Sequence, residues 1–373
     1  MGTRCSGLFA VMVAFSLCAC SGPSAPPVKV TPPPTAIPEP AAGAPAETIP
    51  PAESNAPESP APIADASAPA EVGVVVDEPA LAFSVDPFVG DYATDDYARR
   101  CEGYDWVSVT VEKMHDQAAY IKVRARGDKK RPTCSFDGVG MVKSATVLEA
   151  EFGGRPLLFT VEGDVLTVSV TVEEDKGILH YFCSGGATLE GPYTRLKEAL
   201  DTSAIAPEAF SKELSLQNVT FTITANDALP QATLVVRPAG LEIDNSFVVQ
   251  QAEGQVTGAE IEDLNSDGWP ELMVYSRSIE GSNPGSVVAF SVNNGKSMSS
   301  VAFPPLEGGA LVGYRGGDEF SVVETSLARR FRIYKEGDAD GAPTGPMRQL
   351  QYKLVEGEAS RIFKLVDVTE IPL

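Results

Sequence analysis

Two long stretches of the chain alternate apolar and polar residues with the period of two that a half-buried β-strand requires. From 85 to 200, the runs 106–111 (WVSVTV), 119–123 (AYIKV), 144–152, 156–161 (PLLFTV), 165–172 (VLTVSVTV) and 178–182 (ILHYF) predict strands. Their separators are turn-formers: Arg126-Gly127-Asp128, Gly153-Gly154, Glu162-Gly163-Asp164 and Asp175-Lys176-Gly177. Six or more short strands at this spacing predict a small antiparallel barrel or sandwich. Residues 183–195 read as a turn and a closing strand, 196–200 (LKEAL) as a brief helical linker, and Pro207 as a new start. From 205 to 373 the candidate strands are 219–224, 232–237, 247–250, 256–261, 271–275, 286–291, 320–324, 330–334, 348–354 and 360–366, with Gly, Asn and Asp clusters between them. An antiparallel β-sandwich of two layers is the expected way to bury them. The fold class is all-β throughout.

The first 84 residues do not share this pattern. An apolar run at 7–17 (GLFAVMVAFSL) follows Arg4; it has the length of a signal-peptide core and is too short to span a bilayer. Its ending, Leu17-Cys18-Ala19-Cys20-Ser21, resembles a bacterial lipoprotein signal, with Leu17 and Ala19 in the places such a signal requires before Cys20. The resemblance implies removal of residues 1–19 and lipidation of Cys20 on its thiol and amine, a membrane anchor of several acyl chains. Ser21 resembles the pattern of outer-membrane-sorted lipoproteins, so the expected location is the cell envelope, on the periplasmic face of the outer membrane or at the cell surface. Residues 20–84 form the next segment, and from 21 to 84 it holds 16 prolines and one basic residue, Lys29. Such a composition stays disordered or adopts extended polyproline II. It predicts a semi-rigid tether reaching at most about 200 Å, at roughly 3.1 Å per residue. A Pro-rich recognition ligand is the rival reading, and 72–76 (VGVVV) is either a sticky element or a first edge strand.

Charge and cysteines narrow the chemistry. A formal charge of -22 argues against nucleic acid, whose binding needs a surplus of Lys and Arg. A basic partner or metal ions suit such a field, and solubility alone also accounts for it. Of the six cysteines, Cys101, Cys134 and Cys183 lie in the first β region. In an oxidising compartment a disulfide is expected. Cys134 with Cys183 is the favoured pair, because each precedes a small or Gly-bearing stretch beside a strand, and Cys101 is left free. Neither His115 nor His180 stands at a ligand-like interval from them, which argues against zinc.

One turn has the composition of a cation site. Asp263-Leu-Asn265-Ser-Asp267-Gly268-Trp-Pro-Glu271 sets oxygen side chains at positions 1, 3, 5 and 9, with Gly at 6 for the tight turn. Hard cations such as calcium seek this convergence of oxygens. An EF-hand also needs an acid at position 12, and that position is Val274, inside a predicted strand. The turn therefore resembles the β-hairpin calcium loops of integrin-type repeats, with Asp263, Asn265, Asp267 and Glu271 as candidate ligands. The competing reading is an Asx-rich turn closed by its own hydrogen bonds. Asp338-Ala-Asp340-Gly341 is a thinner echo.

The phrases of the second region resemble the bacterial periplasmic inhibitors of invertebrate-type (I-type) lysozyme. The matching stretches are Leu241-Glu-Ile-Asp-Asn245, Val256-Thr-Gly-Ala-Glu-Ile-Glu-Asp-Leu-Asn-Ser-Asp-Gly268 with Pro270-Glu271, Gly285-Ser-Val-Val-Ala-Phe-Ser291, Asp318-Glu-Phe320, Arg329-Arg-Phe331 and Pro343-Thr-Gly-Pro-Met-Arg-Gln-Leu-Gln-Tyr-Lys-Leu354. The resemblance covers 205–373 and leaves 85–200 without a role. It implies a β-sandwich that inserts a loop into the lysozyme cleft and occludes the catalytic carboxylates. The family's loop reads Ser-Gly-x-Tyr just before Gly-Ser; this chain has Gly281, Ser282, Asn283 and Pro284 before Gly285. Gly281 and Pro284 thus stand where the family has Ser and Tyr, and those two roles do not transfer.

The expected function is a lipid-anchored inhibitor of lysozyme or a related muramidase, with 281–285 as the contact loop. The alternative is an envelope interaction lipoprotein, calcium-stabilised or not, that inhibits nothing. Catalysis is not expected: the chain has two histidines, no G-x-S-x-G elbow, no Walker loop and no metal-binding His pair.

Overall fold

The computed structural model describes residues 83–373, apart from 129, 130, 132, 280, 282, 359 and 373. The expectations for residues 1–19, for Cys20 and for the tether up to 82 lie outside the described residues. Eight strands open the fold: β1 (Gly90–Ala93), β2 (Val107–His115), β3 (Ala118–Ala125), β4 (Ser135–Val142), β5 (Val147–Phe152), β6 (Arg155–Glu162), β7 (Val165–Val170) and β8 (Gly191–Arg195). They pair in sequence order, and β1 returns to β8, Tyr92 opposite Arg195, to close a barrel. Closure removes the sheet edges that would otherwise invite pairing with other chains. Val109, Val111, Ile121, Val123, Leu157, Phe159, Leu166 and Val168 fill the interior, as the alternation of each strand requires.

The run 178–182, predicted as a strand, is instead the helix α1 (Gly177–Tyr181). An apolar run this short does not distinguish helix from strand by its period. Ile178 and Leu179 turn into the barrel core and Tyr181 faces solvent. Just beyond α1, Cys183 is bonded to Cys134, the favoured pair, across 49 residues of chain. Closing a loop of that length restricts the unfolded chain by about 4 kcal/mol on the chain-entropy account. Cys101, expected to be free, is also disulfide-bonded. It sits exposed in a 3-10 segment (Asp95–Glu102).

The predicted helix at 196–200 does not form. Its N–H groups are drawn to the barrel: Leu196 N donates to the Asp91 carbonyl at 2.7 Å and Leu200 N to Asp91 Oδ2 at 3.2 Å. Leu196 and Leu200 pack with Ile205 onto Tyr97 and Trp106, so burial along the barrel wall replaces helix formation.

Twelve strands follow as three four-stranded antiparallel sheets. The first holds β9 (Phe210–Leu216), β10 (Val219–Ala225), β11 (Gln231–Ala239) and β12 (Val248–Glu253). The second holds β13 (Gln255–Glu262), β14 (Glu271–Arg277), β15 (Gly285–Asn293) and β16 (Ser297–Val301). The third holds β17 (Glu319–Val323), β18 (Ser326–Arg332), β19 (Met347–Glu356) and β20 (Arg361–Ile371). The sandwich thus has three layers where two were expected. Its middle sheet is buried on both faces: Leu272, Val274 and Phe290 meet Phe221, Ile223 and Leu234 of the first sheet. Met273, Tyr275 and Ala289 meet Leu327, Phe331, Leu350 and Phe363 of the third. A strand covered on both faces loses its alternation, which is why 272–275 reads as an unbroken apolar run.

Polar contacts lock the barrel to the first sheet. Buried Arg124 of β3 pairs with Asp137 at 2.9 Å and with Glu208 at 3.2 Å. Asn226 donates to Asp137 at 2.8 Å, and Arg237 of β11 pairs with Glu112 of β2 at 2.6 Å. Arg124 and Asp137, buried and multiply bonded, hold one relative placement of their elements, and the half-exposed Arg237–Glu112 pair adds to it.

Candidate functional site

Strand β14 carries both candidate features, the acidic turn at its start and the 278–284 loop at its end. In the turn, Asp263 accepts from Asp267 N at 3.0 Å and from Gly268 N at 2.9 Å. Asn265 Oδ1 accepts from Asp267 N at 3.1 Å, and Asp267 Oδ1 from Trp269 N at 2.9 Å. Glu271, fully buried, accepts from Leu264 N at 2.8 Å and from the Ser291 hydroxyl at 2.6 Å. Arg361 of β20 supplies positive charge, 2.8 Å from Asp267 and 3.7 Å from Glu271. As bonded, these oxygens fit calcium poorly, because N–H groups and a guanidinium already engage them. Among the described residues no group of three or more His, Cys, Asp or Glu is arranged to hold a metal ion. Burial pushes the Glu271 carboxyl up to about 7, against the pull of its hydrogen bonds from Ser291 and Leu264. Asp338, in the thinner echo, likewise accepts from Lys335 N at 2.7 Å and Thr344 N at 2.9 Å.

The loop at the other end is built differently. The last rungs of the β14–β15 hairpin are Ser276 opposite Ser286 and Arg277 opposite Gly285. Beyond them Ser278 N donates to the Pro284 carbonyl at 2.9 Å and closes the loop. Gly281 and Asn283 take φ of +58° and +55°, values that glycine and asparagine tolerate best. Gly281, Asn283 and Pro284 are exposed, and Ile279 is 52% exposed. Ser282 lies outside the described residues.

The loop's root is as closely held as its tip is open. Asp318, just before β17, has a fully buried side chain that pairs with Arg329 Nε of β18 at 2.7 Å. Its other oxygen accepts from Gly285 N at 2.7 Å and from the Tyr314 hydroxyl at 2.6 Å. A Cβ at Gly285 would stand 2.8 Å from Asp318 Cβ and 2.8 Å from Phe320 Cε2, so the approach requires glycine. Burial works against the charge of Arg329, yet the Asp318 carboxylate outweighs it and holds the guanidinium above its ordinary value. Burial and the same carboxylate push the Tyr314 phenol up.

The structure thus gathers Gly281, Asn283, Pro284 and Gly285 on one protrusion, and Asp263, Asn265, Asp267 and Glu271 at the opposite end of the strand. Sequence reasoning gave Asp318, Arg329 and Tyr314 no role. The signal was available in β18, where Leu327, Arg329 and Phe331 share one parity. A charge on the core-facing side of a strand demands a buried partner.

No protein-family model matches this chain, and no curated protein matches it. Among solved structures, a mutant GH32 beta-fructofuranosidase from Bombyx mori in complex with sucrose aligns with a TM-score of 0.23 and 7% identity. That alignment covers 72% of this chain and 60% of the enzyme. A likeness this slight carries no functional argument.

Proposed function

We propose that residues 205–373 act as a proteinaceous inhibitor of I-type lysozyme or a related muramidase, with the protrusion at the end of β14 entering the partner's cleft. The chain would be held in the envelope by a lipid anchor at Cys20. The observation that carries this reading is the combination of an open tip and a pinned root. An occluding loop must keep its shape when it binds, because ordering a flexible segment would subtract from affinity. Occlusion needs no catalytic residue, only a shape that fits between the paired carboxylates of a glycosidase and polar atoms to meet them. Asn283 offers an exposed amide for that purpose.

Gly281 and Pro284 favour a second reading, an envelope lipoprotein that uses the same protrusion to bind without inhibiting. The side chains that anchor the family's loop are missing there, and loss of a buried aromatic anchor costs about 2 kcal/mol or more at an interface. A turbidity assay of cell-wall clearing with the full chain and lysozymes of the invertebrate, chicken and goose types separates the two. Slowed clearing by at least one is the expected result. Failure to slow any of them at micromolar protein would sink the inhibitor reading.

A further inference from the structure

We infer that Asp318 is the positioning residue of the protrusion, setting where Ile279, Gly281, Asn283 and Pro284 stand relative to the rest of the sandwich. The functional half of this inference rests on the occlusion reading above; the structural half does not. The protrusion belongs to the middle sheet, yet its root is gripped from the segment that leads into the third. Asp318 Oδ2 takes the N–H of Gly285, while the Asp318 carbonyl accepts from Arg277 Nη2 at 3.0 Å, so both residues of the hairpin's last rung are held by one residue. The preceding residue adds a further bond, Gly317 N to the Asn283 carbonyl at 3.1 Å.

A carboxylate serving only the core would be satisfied by Arg329. Here one oxygen serves Arg329 and the other is committed to the loop amide and Tyr314, and Arg329 Nη2 closes the ring by donating to the Tyr314 hydroxyl at 2.9 Å. Charge-assisted bonds in a site this buried are short, directional and strong, so the loop has one preferred exit angle. The arrangement also sets the loop's surroundings. Arg329 and Tyr314 wall a groove of about 440 Å³ beside the protrusion, lined further by Phe303, Pro304, Pro305 and Leu311. One carboxylate therefore fixes ridge and groove wall in a constant relation, the geometry that a partner with a cleft and a flanking rim would read.

The test is hydrogen exchange on the full chain, comparing wild type with Asp318→Asn, which keeps the size of the side chain and removes its charge. The amides of Gly285 and Gly317 are expected to lose at least ten-fold more protection in the variant than those of Met273 and Ala289 in the same sheet, whose exchange reports the loss of global stability from unpairing Arg329. Unaltered protection at Gly285 and Gly317 would overturn the inference, as would an equal loss at all four amides. If Asp318→Asn fails to fold, Tyr314→Phe removes one bond to the same oxygen; about three-fold faster exchange at Gly285 is then expected, and no change refutes the assignment. The clearing assay supplies the functional arm. Against a lysozyme that wild type inhibits, Asp318→Asn should need at least ten-fold more protein, and equal potency with a loosened loop would overturn the positioning role. If wild type inhibits none, the occlusion reading fails alone, and the exchange data still decide whether Asp318 sets the loop.

Discussion

The two ends of strand β14 solve opposite problems with the same kinds of residue. At its start, Asp263, Asn265 and Asp267 turn their oxygens inward onto the backbone of their own turn and onto Arg361. At its end, Gly281, Asn283 and Pro284 face solvent while the acceptor that orders them, Asp318, comes from a distant part of the chain. A turn whose side-chain oxygens are taken up by its own backbone N–H groups, Gln217 and Arg361 has few left to present and is a scaffold corner, whereas a loop whose polar contacts fall at its root leaves its tip free. Polar composition alone does not separate the two; where along the segment the hydrogen bonds fall does.

Breaking the external hold should cost the most. Arg329→Met leaves the Asp318 carboxylate buried without its cation, and removing one partner of a buried pair commonly destabilises by about 3–5 kcal/mol. Denaturant unfolding of the variant is expected to show that loss. A change below about 1 kcal/mol would mean that Asp318 is reached by water and that the root is not the closed site described.

The acidic end should show itself next, as a pH dependence. Glu271 is raised in the folded protein from 4.5 to about 7. A carboxyl with a raised pKa binds its proton more tightly when folded, so its contribution is fully present below about pH 4.5 and is lost as pH rises through about 7. The swing is on the order of 3 kcal/mol, with the pull of Arg361 on the charged form already contained in the shift. Glu271→Gln cannot ionise and should flatten that part of the stability profile between pH 4 and 8. A profile identical to wild type would show that Arg361 neutralises Glu271 fully.

Much of this fold was legible in the sequence. The alternation in β10 and the turn signals of the barrel predict strands that form, and the Cys134–Cys183 pair follows from their flanks. β9 escaped because Phe210–Leu216 is a largely solvated edge strand, and β4 because Gly138 and Gly140 interrupt its apolar pattern. The third layer was hidden for another reason: a strand's period reports whether one face is buried, not how many sheets cover it. The site was half visible. Its tip lies in one contiguous phrase, 281–285, but at its root the core-facing parity of Arg329 signals only that a buried partner is needed, not that the partners are Asp318 and Tyr314.

The turn's own wiring predicts a smaller effect. Asp263→Ala removes the acceptor for two backbone N–H groups at an exposed turn and should cost about 1 kcal/mol. Calcium at millimolar concentration, compared with chelator, sharpens the contrast, because an ion that binds only the folded protein must raise its Tm. A rise abolished by Asp263→Ala would mean that calcium displaces Arg361 from Asp267 and that the corner is a metal site after all. No shift would leave the guanidinium as the turn's cation.

The smallest change in stability is expected at the open tip. A Cβ at Gly281 meets nothing within 4 Å among the described residues, and its φ of +58° is the obstacle they leave to a side chain there. Pro284 is exposed and its carbonyl, not its ring, accepts the bond that closes the loop. Gly281→Ser together with Pro284→Tyr should therefore shift stability by about 1 kcal/mol or less, since the left-handed position is the one source of strain. Its effect on recognition should be far larger. If the protrusion enters a lysozyme cleft, restoring the hydroxyl and the aromatic ring should lower the protein needed to slow I-type lysozyme by about 30-fold, the equivalent of an anchor near 2 kcal/mol. A variant that folds as well as wild type and gains nothing would place the contact away from these two positions. It would also break the comparison at its root, because a pinned loop whose tip chemistry is irrelevant is another scaffold corner.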